Sequence, residues 1–295
     1  MIQLYSSAFI LLSLLYITDT SDTEWVCPNI ATPSDIVCQC DLPTTLRCTG
    51  LQIPNQLDTV SHITAQLRNL PPQNAISLLD LSIQKTDEIP AFAFDEVRLK
   101  GLVISSGYIH SVSDNAFFGL ESSLWTLGLP SNKLTAIPTK AIRRLINLER
   151  LDLSDNKIKV LTSGILENLS KLKSLNLKNN AIQKMYSGAF TGLSKLSNLV
   201  LDSNGINKTQ LRNGLLKGPH NLESLSLRNN HLKGFLTSST FPKLTSLKVL
   251  NLSGNNFTSI RRGALKNLPL LTDLNISNNK VGLEYCICAI NWGNF

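Results

Sequence analysis

A short string, LxxLxLxxN, recurs through most of this chain of 295 residues and constrains its fold more than any other feature. Two weaker copies begin at Ile76 and Leu99, which brings the number of units to nine. A period in the range of about 20–50 residues is typical of solenoids, in which each unit packs only against its neighbours. The full copies are 24 to 26 residues apart and begin at Leu124, Leu148, Leu172, Leu196, Leu222, Leu247 and Leu271.

Each part of the repeated unit has a physical role. The LxL pair alternates apolar and polar residues, which predicts a short strand with one buried face. The Asn that follows can satisfy buried backbone groups, so we expect an asparagine ladder between coils. A return leg with a second apolar set, such as Ile109, Val112, Ala116 and Phe117, must pack on neighbouring coils. The strands then form a parallel sheet on the concave side, and the return legs form the convex side.

The six cysteines cluster at the two ends of the chain. Cys286 and Cys288 lie at the far end, and no cysteine interrupts the 237 residues before them. Such clusters in an exported chain are typical of disulfide-bonded caps, and four cysteines allow three pairings. Zinc is disfavoured because the spacing lacks a nearby His or a second CxxC. The first cluster comprises Cys27, Cys38, Cys40 and Cys48.

The repeated string is the leucine-rich-repeat pattern, and the chain resembles that family over residues 76–284. The resemblance implies an α/β horseshoe solenoid with a parallel concave sheet. The segment from Cys27-Pro28 to Cys48 resembles the N-terminal cap of extracellular members. In that family the first cysteine pairs with the third and the second with the fourth, which implies Cys27–Cys40 and Cys38–Cys48.

The segment from Cys286 to Trp292 resembles the opening of a C-terminal cap that needs two further cysteines. The sequence reaches Phe295 without them, and a bridge between Cys286 and Cys288 would close a strained small ring. We therefore expect a partial C-terminal cap over residues 285–295, with two unpaired cysteines. The sequence would then be either a fragment or a protein that has lost half of this cap.

The first 20 residues are predicted to be a signal peptide. An apolar stretch from Ala8 to Ile17 has the length of a signal core and is too short to span a bilayer. An N-terminal membrane anchor is the alternative. The remaining divisions are a cysteine-rich cap at 21–60 and repeats at 61–284, and no later segment is apolar enough to span a membrane. The predicted location is extracellular.

A narrower resemblance covers Val103–Pro138, which looks like secreted arthropod leucine-rich-repeat proteins. That group includes the non-catalytic subunit of oplophorus-type luciferin 2-monooxygenase. The resemblance implies a second hypothesis, an accessory subunit of a secreted oxidative enzyme, and says nothing about light emission. Slit-like, chaoptin-like and Toll-like ectodomains share the repeat and usually carry more units or further domains.

No catalytic signature accompanies the repeats. The motifs GxSxG, HExxH, GxGxxG and the P-loop are absent from the sequence, and none of the four His has a partner at metal-ligand spacing. We therefore expect no enzyme activity, no cofactor and no metal.

Binding is expected on the concave sheet, where the variable residues around each LxL pair project. Trp and Arg are the residue types that most often anchor protein interfaces. The leading hypothesis is a protein partner on this face. The candidate partner-binding residues are Trp125, Arg150, Asp152, Asn176, Val200 and Arg228.

The net charge of +7 divides unevenly, because residues 1–130 carry −8 and residues 131–295 carry +15. Many of the basic residues, including Arg143, Arg144, Arg261 and Arg262, fall on return legs. That placement disfavours a concave nucleic-acid groove, and export disfavours a nucleic-acid partner altogether. The basic residues on the return legs give a third hypothesis, in which the chain binds an acidic glycan.

Five N-x-S/T sequons occur in the sequence. Asn168, Asn207 and Asn256 are the predicted glycosylation sites. Asn251 and Asn275 lie on predicted strands, where a glycan would cover part of the concave sheet.

Overall fold

The N-terminal cap is a hairpin that continues directly into the sheet of the repeats. A computed structural model describes residues 25–32, 35–51, 59–211, 216 and 218–282. Strands β1 (Ile36–Leu42) and β2 (Thr45–Leu51) pair antiparallel. Strand β2 then pairs in parallel with β3 (Leu78–Gln84) along its whole length, so the hairpin covers the first edge of the sheet. The predicted signal peptide lies outside the described residues.

The repeats form one parallel sheet. In the described part of the chain, the sheet with its hairpin contains eleven strands, and their order across the sheet follows their order in the sequence. The second Leu of each unit lies in register with that of the next unit, as in Leu151 beside Leu175. The strands after β3 are β5 (Gly101–Ile104), β7 (Thr126–Gly128), β8 (Arg150–Asp152), β10 (Ser174–Asn176), β12 (Asn198–Val200), β13 (Ser224–Ser226), β15 (Val249–Asn251) and β17 (Asp273–Asn275).

The return legs contain little regular structure. Over the described residues, three two-stranded ribbons join neighbouring coils, and the helices are short. No described helix has the length and apolar character needed to cross a membrane. The ribbons pair β4 (Glu88–Ile89) with β6 (Ser111–Val112), β9 (Val160–Leu161) with β11 (Lys184–Met185), and β14 (Lys233–Leu236) with β16 (Asn256–Ile260). The helices are α1 (Thr59–Leu67), α2 (Thr139–Ile142), α3 (Lys208–Gln210) and a 3-10 turn at Pro72–Asn74.

A single apolar core runs between the sheet and the return legs. The stacked Leu residues of the strands, such as Leu127 and Leu175, are fully buried. The return legs contribute buried aromatic rings, among which Phe94 and Phe117 stack with centroids 6.0 Å apart. The predicted fold class, a leucine-rich-repeat solenoid with a parallel concave sheet, is confirmed.

Asn occurs at the same position in successive units, and these residues form the expected ladder. Asn156 Nδ2 donates to the Leu129 carbonyl of the preceding coil at 2.8 Å, and its Oδ1 accepts from Leu134 N at 3.0 Å. Each bond satisfies a backbone group that has no water to bind. Nδ2 donates to the preceding coil in the same way at Asn132, Asn180, Asn204, Asn230, Asn255 and Asn279.

Both predicted disulfides of the N-terminal cap are present. Cys27 is bonded to Cys40 and Cys38 to Cys48. Arg47 of the hairpin also pairs with Asp80 of the first repeat at 3.1 Å, which ties the cap to the sheet. Cys286 and Cys288, with the predicted partial C-terminal cap, lie outside the described residues.

Candidate binding face

The six predicted partner-binding residues lie on neighbouring coils of the concave sheet. Arg150 and Asp152 are on β8, Asn176 is on β10 and Val200 is on β12. Trp125 immediately precedes β7, and Arg228 follows β13 by two residues. The in-register pairing of these strands brings together residues that are one period apart in sequence.

Trp125 is the most accessible of the predicted anchors, with 44% of its surface exposed. Its own backbone is held in the sheet, because its carbonyl accepts from Glu149 N at 2.8 Å and from Arg150 N at 3.0 Å. Arg150 is on the next strand and makes no ion pair within the described part of the chain. An exposed indole beside an unpaired guanidinium is therefore available to a partner.

Asp152 is less available than the sequence suggested. It is only 8% exposed, and its two oxygens accept from Ser154 N at 2.8 Å and from Asn176 Nδ2 at 3.2 Å. Burial raises the pKa of Asp152, although the bonds from Ser154 and Asn176 oppose the rise. The carboxylate thus organises Asn176 and the strand surface, and its direct part in binding stays a prediction.

The raised pKa of Asp152 predicts a pH-dependent penalty. The folded state holds this proton more tightly than the unfolded chain, so Asp152 costs stability as pH rises through and beyond the ordinary Asp range. Relative to the natural chain, Asp152→Asn should therefore be more stabilising at pH 7 than at about pH 4. Urea midpoints at the two pH values measure this difference.

Asp87→Asn, at an exposed carboxylate on a return leg, is the matched control for Asp152→Asn. Its effect should vary less between the two pH values. An Asp152→Asn effect that is the same at both would contradict the burial-driven shift.

Two ion pairs on the sheet edge were not found by sequence reasoning. Lys173 Nζ lies 2.8 Å from Glu149 Oε1, and Lys248 Nζ lies 3.2 Å from Glu223 Oε2. In each pair, the two residues immediately precede two neighbouring strands. Opposite charges about one period apart in the sequence were therefore a signal from which these pairs could have been predicted. These pairs neutralise part of the edge that contains Trp125.

Arg228 is exposed, and its backbone N–H donates to Asp202 Oδ1 at 2.9 Å. Asp202 also accepts from Ser226 Oγ, so its carboxylate is occupied by the neighbouring coil. Val200 is half-buried between Asn176 and Ser226 in the same row. This end of the predicted face is polar, and it contains no exposed aromatic anchor in the described residues.

The basic residues predicted for the return legs are exposed there. Arg143 and Arg144 follow α2, and Arg261 and Arg262 follow β16. The Arg261 guanidinium lies 4.0 Å from the centroid of the Phe235 ring, which is a cation–π contact. These side chains lie away from the concave sheet.

The three predicted glycosylation residues are exposed. Asn207 also caps α3, because its Oδ1 accepts from Thr209 N at 2.9 Å and from Gln210 N at 3.2 Å. A glycan would attach at Nδ2, so modification and capping do not compete for the same atom. Glycan occupancy at Asn168, Asn207 and Asn256 stays a prediction.

Within the described residues, no three or more His, Cys, Asp or Glu side chains are grouped so that they could hold a metal ion.

Comparison with known proteins agrees with this geometry. The leucine rich repeat family profile matches residues 97–158, 122–169, 146–206 and 220–281, which together cover more than half of the chain. The chain therefore belongs to the leucine-rich-repeat family.

The individual proteins that match this chain do so over only part of their own length. Chaoptin from Drosophila melanogaster is 36% identical over 80 residues, which is 27% of this chain and 6% of chaoptin. The TLR13 chain of a TLR13–ssRNA13 complex matches with a TM-score of 0.63 and 31% identity, over 70% of this chain and 30% of that one. A chain of the Drosophila Toll–Spatzle complex matches with a TM-score of 0.63 and 20% identity, over 83% and 33%. This chain thus spans a third or less of these relatives.

Proposed function

We propose that this chain is a secreted, non-enzymatic protein that binds a protein partner through its concave sheet. The observation that carries the proposal is the exposed Trp125 one strand away from the unpaired Arg150. Binding energy in protein interfaces concentrates on a few such residues, surrounded by neutral contacts that exclude water. The polar, internally bonded surroundings at Asp152 and Asn176 suit the rest of such an interface.

The fold relatives support a binding role. Toll was captured with Spatzle, and TLR13 was captured with ssRNA13. A protein partner is favoured here over RNA, because an RNA-binding groove needs unpaired cations along its length. Two of the cations on this face, Lys173 and Lys248, are each paired with a Glu, so Arg150 and Arg228 do not form part of a continuous row of unpaired cations.

Secretion is supported by the two disulfides of the cap. Structural disulfides persist in oxidising compartments, and they are rare in the reducing cytosol. Release of the chain into the medium of expressing cells, with both bonds intact by mass spectrometry, tests this part of the proposal.

The binding proposal predicts a residue-specific loss of affinity. The partner is first identified by crosslinking the chain in fluid from its source organism, followed by mass spectrometry. Trp125→Ala and Arg150→Ala should then each weaken binding by about 10-fold or more, as expected for interface anchors. Surface plasmon resonance with the purified partner measures the change.

Tyr186→Ala and Arg144→Ala on return legs are the matched controls, since Tyr186 is 45% exposed and Arg144 is also exposed. They should leave the dissociation constant unchanged. If these two variants lost affinity while Trp125→Ala and Arg150→Ala did not, the interface would lie on the return legs, which would contradict the proposal.

The accessory-subunit hypothesis is a narrower form of this function and rests on the resemblance over Val103–Pro138. The same capture experiment decides it, because an oxidative enzyme should then be the co-purifying partner. A chain that is a lone monomer in its native secretion would exclude this hypothesis.

Exposed arginines on the return legs favour a second candidate function, the binding of an acidic glycan. Heparin affinity chromatography tests it with Arg143, Arg144, Arg261 and Arg262 replaced by alanine. Elution at lower salt is expected if these residues bind the glycan, and unchanged elution would exclude them.

A further inference from the structure

One aromatic side chain occupies a backbone position that other coils give to glycine. Among the units whose equivalent residue the structure describes, four have a positive φ at the residue sixteen positions after the first residue of the unit. Three of these residues are Gly164, Gly188 and Gly263, with φ of +63°, +76° and +69°. The fourth is Phe92, with φ of +60°. A bulky residue in this left-handed region is strained, whereas the glycine that the other three units have at this position is not.

Core packing does not explain the aromatic ring at this position. Phe92 is 48% exposed, and Phe118 on the next coil is 41% exposed. Their ring centroids are 5.3 Å apart with planes at 70°, which is an edge-to-face pair on the surface of the return legs. An exposed aromatic pair that also costs backbone strain is a candidate interaction surface.

The surroundings of this aromatic pair are acidic. Asp95 and Glu96 belong to the turn that begins at Phe92, since Asp95 N donates to the Phe92 carbonyl at 3.2 Å. Glu121 lies just after Phe118, where its carboxylate accepts from Gly119 N at 2.8 Å. Over residues 86–121 the sequence has six carboxylates and two Lys or Arg. Lys140 pairs with Asp114 at 3.1 Å, and both side chains are largely exposed.

We propose that the Phe92–Phe118 pair is a docking surface on the return legs for a basic segment of a protein partner. Aromatic faces attract the Arg or Lys cations of such a segment, and the nearby carboxylates add complementary charge. The surface lies on the side of the solenoid opposite the concave sheet, so it is a second contact that goes beyond the function proposed above.

Phe92→Gly separates an interaction role from a structural one. It gives this coil the residue that three other coils have at the same position, so the thermal midpoint should equal or exceed that of the natural chain. The same variant should bind a fluorescein-labelled octa-arginine peptide about 5–10-fold more weakly by fluorescence anisotropy. Phe118→Ala should weaken binding of the same peptide to a similar extent.

Gly263→Phe is the matched control, because it places a Phe in the same slot of a coil whose neighbours are Arg261 and Arg262. An added Cβ meets nothing within 4 Å there, so backbone strain alone should lower its midpoint. Its affinity for the peptide should not rise.

Two results would overturn the proposal. A lower midpoint for Phe92→Gly with unchanged peptide affinity would make Phe92 a structural residue. Concentration-dependent self-association of the natural chain that Phe92→Gly abolishes, seen by analytical ultracentrifugation, would make the occupant a second copy instead of another protein.

Discussion

Replacing Asn180 by alanine is expected to lower the free energy of unfolding by about 2–4 kcal/mol. Its Oδ1 accepts from Ile158 N at 3.0 Å, and its Nδ2 donates to the Leu153 carbonyl at 2.9 Å. The substitution leaves the buried Ile158 amide without an acceptor and opens a small cavity between coils. The effect is large because the interior of the solenoid offers no water as a substitute partner. Urea unfolding followed by far-ultraviolet circular dichroism measures it.

Asn147→Ala is the control for this ladder prediction. Asn147 Nδ2 also donates to a carbonyl of the preceding coil, that of Ser122 at 2.8 Å, but the bond is exposed to solvent. Water can replace it, so the loss should stay below about 1 kcal/mol. Equal losses for the two variants would show that burial of the ladder does not set its contribution.

Removing the Cys38–Cys48 bridge by a double alanine substitution should cost about 2–4 kcal/mol. The bridge joins β1 to β2 across 10 residues of sequence. Cys48 is also buried and lies beside Leu81 in the first strand of the repeats. Without the bridge, the hairpin should separate more readily from β3 and expose the first apolar layer. Urea midpoints and limited proteolysis at the N-terminal end measure this.

Thr49→Ala, at an exposed position on the same strand, is the control for the bridge, and its effect should be small. Natural protein treated with a reductant should shift towards the double variant. A double variant that matches the natural chain in both stability and protease resistance would show that the cap holds without this bond.

The architecture could be predicted from the sequence because each solenoid coil repeats the same local problem. The LxL spacing defines a strand with one buried face, and the side chain of the Asn that follows can hydrogen-bond the buried backbone groups of the turn. The pairing of Cys27 with Cys40 and of Cys38 with Cys48 came from family resemblance, since spacing alone leaves three pairings open.

The candidate site was predicted only in part. The sequence placed Trp125 and Asp152 on one face, but it could not show that the first is 44% exposed and the second 8% exposed. Exposure depends on the side chains that the neighbouring coils place alongside. The Lys173–Glu149 pair was not predicted for the same reason: a separation of 24 residues, one period, places the two residues side by side, but whether their side chains bond depends on what the neighbouring coils place around them.

Sequence alone thus predicted the solenoid, its period, its ladder and the face on which strand residues project. These properties follow from the local spacing of Leu, Asn and Cys within and beside each unit. Tertiary structure decided which side chains on that face are free, and that Phe92 takes the left-handed conformation beside Phe118. Those properties arise only when coils stack in register, because stacking sets the neighbours, the burial and the backbone conformation of each residue.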